Sequence, residues 1–175
     1  MFDEDYTPRI RISEPDETVQ LQQFGIGDAR ALFEVVDYDR SHLRAFAPNL
    51  VQDVTSVDTA LTRLANFDTT KIKFGIWDEG LLRGGIDLMP QAGGRAEVGY
   101  WVGGEHTGNG YASRATGLLA RWTFRTMVSF DTVYAKIRTE NLPSQRAISK
   151  AGFQLDGEYN GWLRYALYKE DADLD

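Results

Sequence analysis

The chain has 175 residues, 42% hydrophobic and 12% aromatic, enough to build the core of one domain and too apolar for a disordered chain. Its 26 acidic residues against 19 basic ones leave a net charge of −7, which argues against binding along a nucleic-acid phosphate backbone. With no cysteine, disulfides, thiolate nucleophiles and Cys-zinc sites are excluded, and His42 and His106 lack ligand-like spacing, so no metal is expected.

The N-terminal run "MFDEDYTPRI" is acidic without an apolar centre, unlike a secretion signal. No stretch approaches the roughly 18 apolar residues of a membrane span. These features predict a cytoplasmic protein of one domain over residues 1–175, with no membrane partner.

Residues 1–16, with Pro8, Pro15 and several charges, read as a loose or edge segment. "TVQLQQF" (18–24) alternates and predicts a strand. Ala29, Leu32, Phe33 and Val36 then recur at helical spacing, with Asp28 placed to cap the start. "SHLRAFAP" predicts a second helix ending before Pro48, and Ser56 or Asp58 opens a third through "TALTRLANF".

"KIKFGIW" (71–77) and "LLRGGIDLM" (81–89) flank "DEG", a hairpin turn, and "RAEVGYWV" (95–102) follows the turn "PQAGG". In "YASRATGLLARWTFRTMV", Ala112, Ala115, Leu118, Leu119 and Trp122 share one helical stripe. A strand "TVYAKIRTE", a short helix "PSQRAISKAGF" that stops at Gly152, and two strands, "FQLDGEY" and "WLRYALYKE", complete the chain ahead of an acidic tail at 170–175. This order predicts a mixed α/β fold, a mostly antiparallel sheet of six to seven strands with helices on both faces.

The loop "HTGNGYA" (106–112) joins a strand to the longest predicted helix. A helix start offers unpaired N–H groups and partial positive charge, and glycine lets the main chain approach a ligand closely, so the loop suits a phosphate. No Gly-Lys-Ser/Thr follows the glycines, which excludes a Walker loop. A dinucleotide fingerprint needs a third glycine where Ser113 stands, and a place near the first strand of a βαβ unit.

"EHTGNGYA" resembles the pyrophosphate loop of the GNAT acetyltransferases, Gln/Arg-x-x-Gly-x-Gly/Ala, at Gly108 and Gly110, and departs from it at Glu105. "EVGYWV" resembles the family's fourth strand, "TENLPSQRAISKAGF" its late Asn-x-x-Ser motif, and "HLRAFAP" a segment of the Rim-type ribosomal-protein-alanine and -serine N-acetyltransferases. The resemblance spans residues 18 to 169 and implies a GNAT fold whose fourth and fifth strands splay apart.

It also implies acetyl-CoA as donor. The amides of Gly108, Asn109, Gly110, Tyr111 and Ala112 would cradle the pyrophosphate. Main-chain groups of Trp101 and Val102 would pair with pantetheine, the Asn141 side chain would bond the same arm, and Arg146 would lie near the cofactor. The acceptor would enter between the helices of residues 28–66 and the final strands. Dimers are common among such relatives.

Acyl transfer needs a neutral amine. An α-amine, with a reference pKa of about 7.7–8.0 against about 10.4 for lysine, needs only a modest base. Glu97 is the first choice of base, because it shares a strand face with Gly99 and Trp101, and an unpaired carboxylate there would be costly. Its alternative role is an ion pair with Arg95 or a neighbouring strand's lysine. Glu158 is the second choice, or else an exposed charge beside a turn.

Ser144, the serine of the Asn-x-x-Ser motif, is the expected proton donor to the leaving thiolate, with helix capping as its alternative. Tyr111 and Tyr134 stand behind it, and neither histidine is given a role. The expected activity is acetylation of a protein N-terminal α-amine. A small amine, such as a polyamine, an antibiotic or a toxin, and a CoA-binding module without catalysis remain the alternatives.

Overall fold

The computed structural model describes residues 9–16, 18–66 and 68–174. Expectations for residues 1–8 and for Asp175 lie outside the described residues. One sheet of eight strands crosses the molecule in the order β1-β2-β3-β4-β5-β6-β8-β7. Its strands are β1 (Arg11–Ser13), β2 (Gln20–Gln23), β3 (Ile72–Asp78), β4 (Leu81–Gln91), β5 (Arg95–Val102), β6 (Thr132–Arg138), β7 (Gln154–Tyr159) and β8 (Trp162–Tyr168). The count exceeds the expected six to seven because three residues around buried Ile12 pair with β2. Of the two readings of this segment, loose or edge, residues 11–13 take the second.

Four helices separate β2 from β3: α1 (Ala29–Tyr38), α2 (Arg40–Phe46), α3 (Pro48–Asp53) and α4 (Val57–Ala65). Pro48, read as a stop, is also the first residue of α3, where a missing N–H costs nothing. Asp28 does not cap α1. Its carboxylate turns back to accept from the Gly25 N–H (2.9 Å) and the Arg9 guanidinium (2.7 Å). Ser56, rather than Asp58, caps α4 by accepting from the Thr59 N–H. The β3–β4 turn is two residues, not three: Asp78 belongs to β3, and Glu79 and Gly80 both take positive φ, a type I′ pattern.

The sheet separates two apolar layers. Phe74, Ile86, Leu88 and Val98 pack with Leu119 and Phe124 of α5 (Tyr111–Thr126) and Ile148 of α6 (Leu142–Lys150). On the opposite face Leu32, Val36, Leu43, Leu50 and Val54 of the N-terminal helices pack with Leu82, Trp77 and Trp101. Strand alternation assigns Ala96 and Val98 to the first layer and Trp101 to the second.

Among the described residues only β5 and β6 run parallel, and they pair over three residues: Arg95 with Thr132, Ala96 with Val133, and Glu97 with Tyr134. Beyond Glu97, β5 stays paired to β4 while β6 follows β8. The sheet therefore opens between them, at the end of β5 that leads into the glycine loop.

Candidate active site

The opening between β5 and β6 holds a cavity of about 480 Å³. Tyr100, Trp101 and Val102 of β5 form one wall. Gly108, Gly110 and the first turn of α5 form the second, and Asn141, Ser144, Arg146 and Lys150 of the α6 region form the third. His42 and Phe46 of α2 close it on the other face, their rings 5.1 Å apart. The cavity thus joins the two faces of the sheet.

Gly108 and Gly110 take φ of +81° and +80°, a left-handed conformation that residues with a Cβ adopt at a cost. Gly110 is the N-cap residue of α5, and the first helical hydrogen bond runs from the Arg114 N–H to Gly110 O. The N–H groups of Tyr111, Ala112 and Ser113 precede that bond and stand at the positive end of a 16-residue helix. Backbone amides presented by left-handed turns at a helix start form an anion cradle. Asn109, exposed between the two glycines, does not line the cavity.

The loop is held from the other face of the sheet. The Gly104 N–H donates to Asp39 Oδ2 at 2.7 Å, and Tyr38 Oη donates to Glu105 Oε1 at 2.6 Å. A Cβ on Gly103 would come within 2.8 Å of the Asp39 carboxylate, so the corner between α1 and α2 sits directly on the loop. Glu105, the residue that departs from the family pattern, is thus engaged through its side chain. The Asp39 contact is a charge-assisted bond. Asp39→Ala is expected to weaken acetyl-CoA binding by about tenfold, measured by calorimetry, while secondary structure by circular dichroism is retained.

Ser144 lies in the first turn of α6. Its N–H donates to the Asn141 side chain (3.2 Å), so Asn141 is the cap and the serine hydroxyl is released from that task. Ser144 Oγ lies 2.6 Å from Tyr100 Oη. Burial raises the pKa of the Tyr100 phenol, with the Ser144 contact a smaller opposing effect, so the phenol keeps its proton at neutral pH. Tyr100 is the residue that sequence reasoning missed. Its signal was its place: the inward-facing aromatic nearest the end of the strand that precedes the glycine loop.

Other predicted residues lie elsewhere. Glu97 does not line the cavity. Its carboxylate meets Lys136 Nζ of β6 at 2.9 Å, the neighbouring-strand lysine weighed as its alternative partner. Glu158 is exposed on the edge strand β7, opposite Leu163, and also lies outside the lining. Tyr111 donates its hydroxyl to Asp78 Oδ2 (2.5 Å), and that bond raises its pKa. Tyr134 sits beside Glu97, and its pKa rises through burial first and that carboxylate second. His42 and His106 both border the cavity. No helix among the described residues is long and apolar enough to cross a membrane.

The family model of the acetyltransferase (GNAT) domain matches residues 18–154. The chain is 28% identical to the uncharacterized N-acetyltransferase YoaA of Bacillus subtilis over 173 residues, 94% of this chain and 92% of that protein. A shorter stretch of 73 residues is 37% identical to the uncharacterized N-acetyltransferase p20 of Bacillus licheniformis, covering 42% of this chain and 40% of that relative's length. Among solved structures, RimJ of Mycobacterium smegmatis in complex with CoA-disulfide superposes with a TM-score of 0.77 at 23% identity, over 93% of this chain and 88% of that one.

Proposed function

The chain belongs to the GNAT acetyltransferase family, and on that premise we propose that it moves an acetyl group from acetyl-CoA directly to the N-terminal α-amine of a polypeptide. The observation that carries the reading is the cavity that passes through the sheet, with an anion cradle on one side and an outlet beside α2 on the other. Donor and acceptor can then meet at the main chain of β5 without either crossing a helix.

In this reading the amides from Gly108 to Ala112 hold the diphosphate, while Trp101 and Val102 offer main-chain groups to the pantetheine arm. Asn141 and Arg146 border the same arm. The neutral amine attacks the thioester carbonyl carbon, and the C–S bond breaks as the C–N bond forms. Ser144 Oγ–H protonates the departing sulfur, and Tyr100 returns a proton to Ser144 through their 2.6 Å contact. The proton lost by the amine passes through water to a carboxylate. Glu97 is the first choice, because it stands beside the parting of β5 and β6, where it pairs with Lys136. Glu158 serves only if the edge strand reaches the acceptor.

The polypeptide acceptor draws support from the likeness of the fold to that of RimJ of Mycobacterium smegmatis. The test is release of free CoA from acetyl-CoA with two panels, N-terminal peptides of ribosomal proteins and small polyamines, with products read by mass spectrometry. Acetylation on peptide α-amines is the expected result. Acetylation confined to small amines would overturn the polypeptide acceptor, and binding of acetyl-CoA without turnover on either panel would overturn catalysis.

A further inference from the structure

Ser144 and Tyr100 give the cavity a proton donor, whereas both carboxylates weighed as the base, Glu97 and Glu158, stand outside its lining. A proton leaving the amine must cross water to reach either of them. Two imidazoles do line the cavity, His42 of α2 and His106 ahead of the glycines.

Their surroundings separate them. His106 belongs to the glycine loop, and its ring stands edge-on to Tyr111 with centroids 6.2 Å apart. That places it at the diphosphate end. His42 comes from the other face of the sheet, where the neighbouring Leu43 is fully buried. The His42 side chain is half-buried, with its ring tilted on that of Phe46. A Cβ on Gly104 would come within 3.1 Å of His42 Cγ, so the imidazole is seated against the main chain just past the end of β5. The Asp39 carboxylate packs on the same glycine, and its Oδ2 is taken up by the Gly104 N–H. Neither ring nitrogen of His42 has a hydrogen-bond partner among the described residues. A polar group that lines a cavity without a protein partner is free for water or a ligand.

The two walls complement each other. Tyr100 packs with the layer of α5 and α6, and Ser144 belongs to α6 itself. His42 faces the same cavity from α2. Acyl transfer protonates the sulfur and deprotonates the nitrogen, two substituents of one carbon. An acid and a base on different walls of one cavity suit that task. Imidazole is the side chain that most readily exchanges a proton near neutral pH.

We infer that His42 is a catalytic residue, the base that takes the proton of the attacking amine. This inference deepens the acetyl-transfer reading above and rests on it: His42 is the first carrier, ahead of the water that leads to a carboxylate. As the C–N bond forms, an N–H bond of the amine breaks and its proton joins a ring nitrogen of His42. The C–S bond breaks, and the sulfur takes the Ser144 proton. The imidazolium then yields its proton to water, and a proton from water returns to Ser144 through Tyr100. The protein ends each cycle with the protons it began with.

The test measures acetyl transfer to a short peptide with an N-terminal alanine and to spermidine. With whichever of the two the unaltered protein acetylates, His42→Ala is expected to lower kcat by about 100-fold, the lower end of the range for general-base catalysis. His42→Gln, which keeps bulk and hydrogen bonding without the basicity, shows the same loss. Acetyl-CoA affinity by calorimetry stays within about threefold in both variants, which separates a lost base from a misfolded cleft. Free imidazole in the buffer raises kcat of His42→Ala by at least about tenfold and leaves the unaltered protein unchanged. Pyrazole, a ring of equal size that scarcely binds a proton, restores nothing. A kcat for either variant within about threefold of the unaltered protein overturns this inference alone. So does a loss that pyrazole repairs as well as imidazole, or that neither ring repairs, because the side chain then only shapes the outlet. No acetylation of either acceptor by the unaltered protein overturns it together with acetyl transfer.

Discussion

Gly110→Trp is expected to lower acetyl-CoA affinity by at least 100-fold in calorimetry while the protein stays folded. Two physical effects act together. Gly110 holds φ at +80°, and a residue with a Cβ there costs about 1–2 kcal/mol. That cost is spread between folding and loop geometry, and for a domain of this size corresponds to a few degrees in Tm. The larger effect is steric. A Cβ at this position meets nothing closer than Arg114 Cδ at 3.8 Å and Ser113 Oγ at 3.9 Å, so the fold accepts it. The indole beyond it occupies the space in front of the N–H groups of Tyr111 to Ser113, where an anion must come within hydrogen-bond reach. Gly80 supplies the control: its φ is +75°, its Cβ would meet nothing within 4 Å, and it lies in the β3–β4 turn. Gly80→Trp carries similar backbone strain and should lose a similar amount of Tm with acetyl-CoA affinity unchanged. An affinity for Gly110→Trp within threefold of the unaltered protein would remove this loop from the donor site.

That loop was legible in the sequence because its chemistry is local. Two glycines, a preceding strand and a following helix specify where main-chain donors gather, whatever the remainder of the chain does. The large core was legible for a related reason: Ala115, Leu118 and Leu119 recur at helical spacing, and Ala96 and Val98 alternate along their strand. What escaped depends on contacts between elements distant in sequence. Tyr100 could be assigned to a face of β5 by alternation, but nothing in the chain joined it to Ser144, 44 residues on, until β5 and α6 came together across the opening. Asp28 looked like a helix cap because local spacing allows it, and Arg9, 19 residues earlier, helps draw the carboxylate away. The three-residue β1 has no period to detect, and α3 hid behind a proline that both ends one helix and begins the next. Glu97 lay between these cases: the pattern limited it to a base or an ion pair, and the register of β5 against β6 supplied Lys136.

The same opening in the sheet accounts for the expected division of labour between donor and acceptor. Strand pairing stops after Glu97, so the main chain of β5 from Val98 onward is unpaired toward β6 and remains free to bond a ligand. The N–H of Gly104 is already committed to Asp39, which ties the glycine loop to the N-terminal helices on the other face of the sheet. Loss of that tie is therefore expected to reach donor binding, although Asp39 lies on the other face of the sheet.

Ser144→Ala is expected to lower kcat by about 100-fold with acetyl-CoA affinity within threefold of the unaltered protein. A thiolate leaving in an apolar cleft needs a proton close by, and general acid catalysis of this kind is worth roughly 10²–10⁴ in rate. The lower end applies because water can enter where the hydroxyl was. Binding should be spared, since Asn141 rather than Ser144 caps α6 and the Ser144 N–H that it accepts from is unaffected by the change. Tyr100→Phe keeps the ring in place but removes the proton that resupplies Ser144, so its effect should be smaller, about tenfold in kcat. Because the two hydroxyls act in one chain across 2.6 Å, the double variant should be scarcely slower than Ser144→Ala alone. Effects that multiply in the double variant would show that the hydroxyls act separately. A Ser144→Ala protein that loses turnover and acetyl-CoA affinity in equal measure would show that the serine shapes the cleft rather than protonating the sulfur.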